Sequence, residues 1–366
     1  MTGCGVLPSQ HLRSAIAKGF IYARDGVEEE QIQPSSIDLR LGSTAYRVRA
    51  SFLATRHATI AAKLDSFNMH SIDLRNGALF ERGCIYIVPL KEELALPAEM
   101  SGKCNPKSTT GRLDIFTRVI TDRGIHFDVI EPGYHGKLYA EVAPRTFGVI
   151  VREGTRLTQL RLSRGGGSAY SDSALAELHT REPLVYNTEE KPADAHIHSG
   201  LRVSVDLQGI AGSSIIGYRA RKHASIIDLE KIRHYEPLDY WEPIPRHSSR
   251  QLILDPEDFY ILASREKVRV PAQYAAEMVP YDPSVGEFRI HYAGFFDPGF
   301  GCEEKGTRAV LEVRSHEVPF LLEDGQVVAS LIYEKLVDSP ERLYGSGIGS
   351  SYQSQGLALS KHFKMG

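Results

Sequence analysis

The sequence predicts a mainly β chain, arranged as two tandem β-barrel domains with a few short helices. Three observations carry this. Short runs with β-type alternation (AYRVRA, CIYIVPL, KLYAEVA, GVIVREG, LTQLRLS) sit between Pro, Gly, Asn and Asp turns. Gly numbers 32 and Pro 19 against a single Trp, which suits a turn-rich β protein better than a helical bundle. A set of landmarks also returns, in the same order, one domain length later.

The repeat is specific. Ser36-Ile37-Asp38-Leu39 returns 168 residues on as Ser204-Val205-Asp206-Leu207. Pro132-Gly133-Tyr134 returns 166 residues on as Pro298-Gly299-Phe300. Glu141 in KLYAEV and the turn residue Gly154 both return 171 residues on, as Glu312 in AVLEV and Gly325. A drift of a few residues is what loop insertions produce. The 366 residues agree with about two domains.

In chain order, Leu12, Ile16 and Ala17 sit at helical spacing and Gly19 supplies a stop, so a short helix opens the chain. The strands above follow, over residues 1–162. Residues 163–199 hold Arg164-Gly165-Gly166-Gly167-Ser168 and a polar, Pro-containing stretch, and read as a linker in which SDSALAELHT makes one helix. A second β domain spans 200–340, with FYILAS, KVRVPA, AVLEVRS and VVASLIYEKL as strands. Residues 341–366, containing YGSGIGSSYQSQG, cannot pack a core and read as a tail that is either disordered or a lid over a ligand.

Composition excludes several classes. The net charge of −3 offers no global field for nucleic acid, so no nucleic-acid partner is expected. No apolar run approaches the ~18 residues of a membrane span, and the N-terminus lacks a signal-peptide pattern. Cys4, Cys84, Cys104 and Cys302 are scattered without a C-x-x-C pair. A cytoplasmic protein with reduced thiols and no membrane partner is expected. His196 and His198 form H-x-H with no third ligand nearby, so neither a protein metal site nor zinc is expected. The zinc deaminase pattern, H-x-E with P-C-x-x-C, is absent.

The stretch Asn105-Pro106-Lys107-Ser108-Thr109-Thr110-Gly111-Arg112 puts two cations, three hydroxyls and a glycine within six residues. Such a loop offers charge-assisted and hydroxyl donors, with close backbone approach at glycine, and so suits a polyphosphate. Its spacing is not that of a Walker loop. The second feature is the repeated hairpin, a Pro-Gly-aromatic turn followed by a strand carrying one carboxylate. Alternation puts Val310, Glu312 and Arg314 on one strand face and Leu311 and Val313 on the other. An ion pair with an arginine is the plain structural alternative for such a glutamate.

Together with Gln33-Pro34-Ser35-Ser36-Ile37-Asp38-Leu39-Arg40-Leu41-Gly42 and the tail residues Tyr344, Tyr352 and Gln355, these features resemble the dCTP deaminases of the dUTPase-like β-barrel (β-clip) superfamily. The resemblance covers nearly the whole chain as two copies. Lys107, Ser108, Thr109 and Arg112 match the family's basic-Ser-Ser-x-x-Arg loop, with Lys and Thr as departures. Glu141 and Glu312 both match its catalytic glutamate. Asp297 matches the Asp before Pro-Gly, where the first half has Glu131. The second half is twelve positions shorter where its own phosphate loop would lie, and carries Tyr281-Asp282-Pro283-Ser284 there.

The resemblance implies hydrolysis of dCTP to dUTP and ammonia, a supply of dUTP for dUMP and dTTP synthesis. Glu312, with Glu141 as the alternative, is the expected general base and acid. Ser108 and Arg112 position the water and polarise the base. Asp297 and the strand around Val310 read the pyrimidine. Lys107, Thr109, Tyr344, Tyr352 and Gln355 hold the triphosphate, whose charge Mg²⁺ shares. In this superfamily, sites form where barrels meet, so a trimer or a self-completing monomer is expected. A dUTP diphosphatase, a bifunctional enzyme using Asp128 or Asp297, and a non-catalytic dCTP/dUTP-binding regulator remain as alternatives.

Overall fold

The computed structural model describes residues 3–166, 169–210, 213–280, 288–291, 294–315, 317–345 and 357–365, with the side chains of residues 280 and 288–291 left aside. It is mainly β, as the sequence predicts, and divides into two compact units. Unit 1 comprises Met1–Ser168, Ser225–Ile232 and Leu336–Arg342. Unit 2 comprises Ala169–Ala224, Arg233–Lys335 and Leu343–Gly366.

Unit 1 is built on three sheets. The largest runs Asn68–Asp73, Thr44–Val48, Ile85–Ala95, His135–Pro144, Ile115–Thr121, with Ile21–Ala23 also on Ile85–Ala95. The second runs Gly5–Val6, Arg156–Arg164, Met100–Pro106, Val129–Ile130, with Ile37–Arg40 also on Arg156–Arg164. The third runs Ile227–Asp228, Val149–Val151, Ala78–Phe80. Its first pair is parallel, so Ser225–Ile232, late in the chain, completes this early unit. The side chain of Arg152 fixes that strand by donating to Asp228 at 2.6 and 3.1 Å.

Unit 2 repeats the largest sheet strand for strand, while its second and third sheets each have one strand fewer among the described residues. Its largest sheet runs Trp241–Pro245, Ile215–Ala220, Phe259–Val268, Thr307–Ser315, Phe288–His291, with Val185–Tyr186 on Phe259–Val268. Its second runs Leu201–Ser204, Val327–Lys335, Tyr274–Pro280, Phe295–Phe296, and its third pairs Gln251–Leu254 with Phe320–Glu323. The strands that carry the two hairpin glutamates, His135–Pro144 and Thr307–Ser315, therefore hold the same station in the two units. Each has a neighbour on both edges and is buried on both faces over most of its length, which is why apolar residues flank its glutamate. Leu262, Leu311, Val313, Leu331 and Tyr333 lie in the unit 2 core.

The opening helix is Ser9–Ala17, and Gly19 follows it at φ +71°, the left-handed position that ends a helix. SDSALAELHT supplies the cap, Ser171, and all but the last residue of the helix Asp172–Arg181. KVRVPA, expected as a separate strand, instead begins as the end of the single strand Phe259–Val268. A bulge between Ala263 and Lys267 absorbs the extra residues. Among the described residues, no helix is long and apolar enough to cross a membrane.

Candidate active site

The cationic loop leaves the strand Met100–Pro106 and makes one turn of helix, Ser108–Gly111. Two bonds moor it to Leu157, whose carbonyl accepts the Lys107 N–H at 3.0 Å and the Thr110 hydroxyl at 2.8 Å. The loop is thereby layered. Ser108 is exposed and Lys107 and Thr109 are half-buried, while Thr110, Gly111 and Arg112 lie beneath them. The Lys107 ammonium forms an ion pair with Asp38, a carboxylate only 2% exposed. Below the loop, Asp114 accepts the Thr146 hydroxyl at 2.6 Å and the Arg145 N–H on its carbonyl at 2.9 Å. The loop thus presents Lys107, Ser108 and Thr109 from a rigid floor.

Glu141 lies opposite Ile87 on one neighbouring strand and Arg118 on the other. Arg118 donates to Glu141 Oε1 through Nη2 at 2.6 Å and Nε at 3.2 Å, and its guanidinium lies 3.4 Å from the Phe127 ring centre and 4.5 Å from that of Phe116. Glu141 is 1% exposed, and its Oε2 has no hydrogen-bond partner among the described residues. Pro144 pairs with Ile115, so Glu141 stands three residue pairs, about 10 Å, along the sheet from the end at which the loop joins it. Within unit 1 the loop and this glutamate occupy separate stations.

Glu312 holds the corresponding station in unit 2, opposite Ile261 and His291. It is also buried, between half-buried Val310 and buried Arg314, and Leu311 and Val313 enter the core as alternation predicts. The register position that Arg118 holds in unit 1 thus belongs to a histidine in unit 2. Nearby Tyr139 is an unsuitable acid or base near neutral pH, because burial, reinforced by Asp122, pushes its phenol up to about 12.

The turn before the unit 2 strand holds half-buried Asp297, whose carbonyl accepts the Phe300 N–H at 3.1 Å. Gly299 has φ +91°, and a Cβ there would meet the Leu343 Cβ at 3.0 Å and the Tyr344 nitrogen at 3.2 Å. Glycine therefore lets the tail dock. Tyr344 N–H donates to the Pro298 carbonyl at 2.8 Å, and its ring lies 5.4 Å from Phe300. Tyr352 and Gln355 lie outside the described residues. Beyond them the chain docks again. His234 N–H and Tyr235 N–H donate to the His362 carbonyl at 2.9 and 3.1 Å, and Phe363 packs among Tyr235, Tyr240 and Trp241. The expected disordered-or-lid tail is thus held at both ends of its described part.

Asp128, a candidate in the diphosphatase alternative, uses its carboxylate to accept the Val119 N–H at 2.7 Å. No group of three or more His, Cys, Asp or Glu placed to hold a metal occurs among the described residues. Sequence reading missed two participants. Asp38 was visible only as part of a repeated motif. Arg118 had one signal, a charge inside the apolar run Ile115–Thr121.

Two family models match the chain. Residues 3–166 match the 2'-deoxycytidine 5'-triphosphate deaminase (DCD) N-terminal domain, and residues 171–363 match the C-terminal domain of the same family. A crystal structure of 2'-deoxycytidine 5'-triphosphate deaminase from Agrobacterium tumefaciens is 50% identical, with a TM-score of 0.87, covering 93% of this chain and 100% of that one. A "dCTP deaminase, dUMP-forming" of Corynebacterium kroppenstedtii is 30% identical over 141 residues, 38% of this chain and 70% of the relative. One of the same description from Halobacterium salinarum is 33% identical over 109 residues, 29% of this chain and 53% of the relative.

Proposed function

The chain belongs to the 2'-deoxycytidine 5'-triphosphate deaminase family, a family of hydrolytic deaminases, and from that premise we propose that it converts dCTP and water to dUTP and ammonia. The observation that carries the reading is the buried glutamate held at the same station of the same central strand in both units. Burying a carboxylate is costly, and it calls for a partner or a task.

Chemically, a glutamate beside the cytosine takes a proton from the attacking water. Hydroxide adds at C4, and the glutamate returns the proton to the departing amine. We assign this role to Glu312. Arg118 already engages Oε1 of Glu141, and a guanidinium keeps its charge throughout. The corresponding register position beside Glu312 is held by a histidine, His291, in place of that arginine. Arg112 and Ser108 orient water and the base edge. Asp297 and the strand at Val310 face the pyrimidine, and Lys107, Thr109, Tyr344, Tyr352 and Gln355 hold the triphosphate. The loop's donors are ammonium, hydroxyl and guanidinium, which suit anions. Mg²⁺ accordingly arrives as part of the substrate, carried by phosphate oxygens and water. Supplying dUTP for dUMP and dTTP synthesis is the corresponding metabolic role.

Glu312→Gln and Glu141→Gln, assayed for ammonia release from dCTP, test the assignment. Glu312→Gln is expected to lose activity by about 10²-fold or more, and Glu141→Gln to keep most of it. Full activity in Glu312→Gln overturns the assignment. The names of two relatives favour a second reading, in which dUTP is carried on to dUMP and pyrophosphate. Separating the products of dCTP and of dUTP incubations distinguishes the two.

A further inference from the structure

The repeated Ser-x-Asp-Leu motif has no part in the chemistry above, yet its aspartate pairs with a cation in both units. In unit 1, Asp38 sits opposite Gln159, which sits opposite Asn105, so the three form one row across the strands Ile37–Arg40, Arg156–Arg164 and Met100–Pro106. Lys107 follows two residues after Asn105 and returns its ammonium to Asp38. In unit 2, whose sequence lacks the residues of the cationic loop, Asp206 takes its cation from the central strand instead. There Arg308 donates to Asp206 Oδ2 and, with the same nitrogen, to the Ser264 carbonyl at 2.6 Å.

The two pairs differ in completeness. Asp206 is saturated, since its Oδ1 accepts the Gln208 N–H at 2.7 Å, and the side chains of Arg308 and Asp206 are 6% and 7% exposed. In unit 1 the Lys107 side chain is 24% exposed above a 2% exposed carboxylate, and Asp38 Oδ1 has no hydrogen-bond partner among the described residues. The corresponding aspartate is sealed in unit 2 and left open beside the cationic loop of unit 1. An ammonium has three donors, and the Asp38 bond leaves the others available to an incoming anion.

We propose that Asp38 is a positioning residue that aims the Lys107 ammonium at the substrate's triphosphate. The proposal rests on the reading of Lys107 as a triphosphate ligand. Without Asp38, the four-carbon stem swings freely and must be ordered anew by each substrate.

The test measures the affinity of the full chain for inorganic tripolyphosphate by calorimetry, beside KM and kcat for ammonia release from dCTP. Asp38→Asn is expected to weaken tripolyphosphate and raise KM by about ten-fold (about 1.4 kcal/mol), with kcat nearly unchanged. Lys107→Met should do the same, and adding Asp38→Asn to it should cost nothing further. Asp206→Asn should leave tripolyphosphate affinity as it was. Unchanged or tighter tripolyphosphate binding by folded Asp38→Asn overturns the proposal, as does full additivity with Lys107→Met, or a loss confined to kcat. Should Asp38→Asn melt below the assay temperature, the Lys107 ammonium resonance of the parent protein decides. A signal protected from exchange that moves on adding tripolyphosphate supports the proposal, and an unprotected or unmoved one overturns it. If the parent releases no ammonia from dCTP, the deaminase reading fails, while the tripolyphosphate arm still decides the role of Asp38.

Discussion

Replacing Arg118 by methionine separates a structural glutamate from a catalytic one. Glu141 is 1% exposed and accepts hydrogen bonds from Arg118 at 2.6 and 3.2 Å. Removing the guanidinium leaves a buried carboxylate without a cation, and breaking such a pair costs about 3–5 kcal/mol. The Arg118 side chain is 25% exposed, so water can partly relieve the loss, and the low end, about 3 kcal/mol, is expected. For a unit of this size, that corresponds to a fall of about 6–12 °C in melting temperature. Methionine keeps the apolar contact with Phe116 and Phe127, so the effect reports the charge. The double variant Arg118→Met/Glu141→Gln removes both charges and should recover about 2 kcal/mol of the loss. Urea unfolding gives the energies, and hydrogen exchange on Ile115–Thr121 and His135–Pro144 locates them. The double variant should still release ammonia from dCTP at near the parent rate. A cost below about 1 kcal/mol for Arg118→Met, or strict additivity in the double variant, refutes the pairing argument. A folded but inactive double variant refutes the assignment of the chemistry to Glu312.

Arg152 holds the Asp228 carboxyl below the usual carboxylate range, chiefly by hydrogen bonding to it. Because the folded pKa is depressed, this stabilisation is complete above the ordinary value of about 4 and fades as pH falls below it, so the difference in melting temperature between the parent and Arg152→Met should shrink through that window. Phe363→Ala empties the cage of Tyr235, Tyr240 and Trp241 and should cost about 3 kcal/mol; since Trp241 is the chain's single tryptophan and is fully buried, its emission should shift to the red. Gly299→Ala introduces a Cβ 3.0 Å from that of Leu343 in a φ +91° backbone, so residues 343–345 should undock, read as faster tryptic cleavage after Arg342.

Much of this was legible because it is local. KLYAEVA and AVLEVRS announce their strands by β-rich apolar runs, and the single glutamate in each announces a site. The strand Met100–Pro106 was not legible, because Gly102, Lys103, Asn105 and Pro106 spoil any alternation. Its neighbours impose it, bonding it on both edges, and Gly102 is required where a Cβ would come within 2.9 Å of Leu160. The helix Ile60–Phe67 had a signal that went unused, the cap Thr59 with Ile60, Leu64 and Phe67 at helical spacing. Lys107 and Asp38 are 69 residues apart, and Arg152 and Asp228 are 76 apart. Such pairs leave no trace in any local window, so the partners of the site residues emerge only from the fold.

The differences between the units are as informative as their common plan. Two features of unit 1, the cationic loop and the half-buried Lys107 ammonium that Asp38 holds, suit an anion, yet the glutamate of that unit is tied to an arginine held against two phenylalanines. Unit 2 reverses both choices. Its aspartate is closed by Arg308 and Gln208, and the register position beside its glutamate passes from arginine to histidine. A chain carrying one fold plan twice needs only one good copy of each part. A part no longer needed still has a buried charge to settle, and the least costly settlement is an ion pair in place. Glu141 with Arg118 and Asp206 with Arg308 are two places where this chain has made that settlement. The Lys107–Asp38 pair differs from these in leaving its lysine side chain 24% exposed, open to an anion.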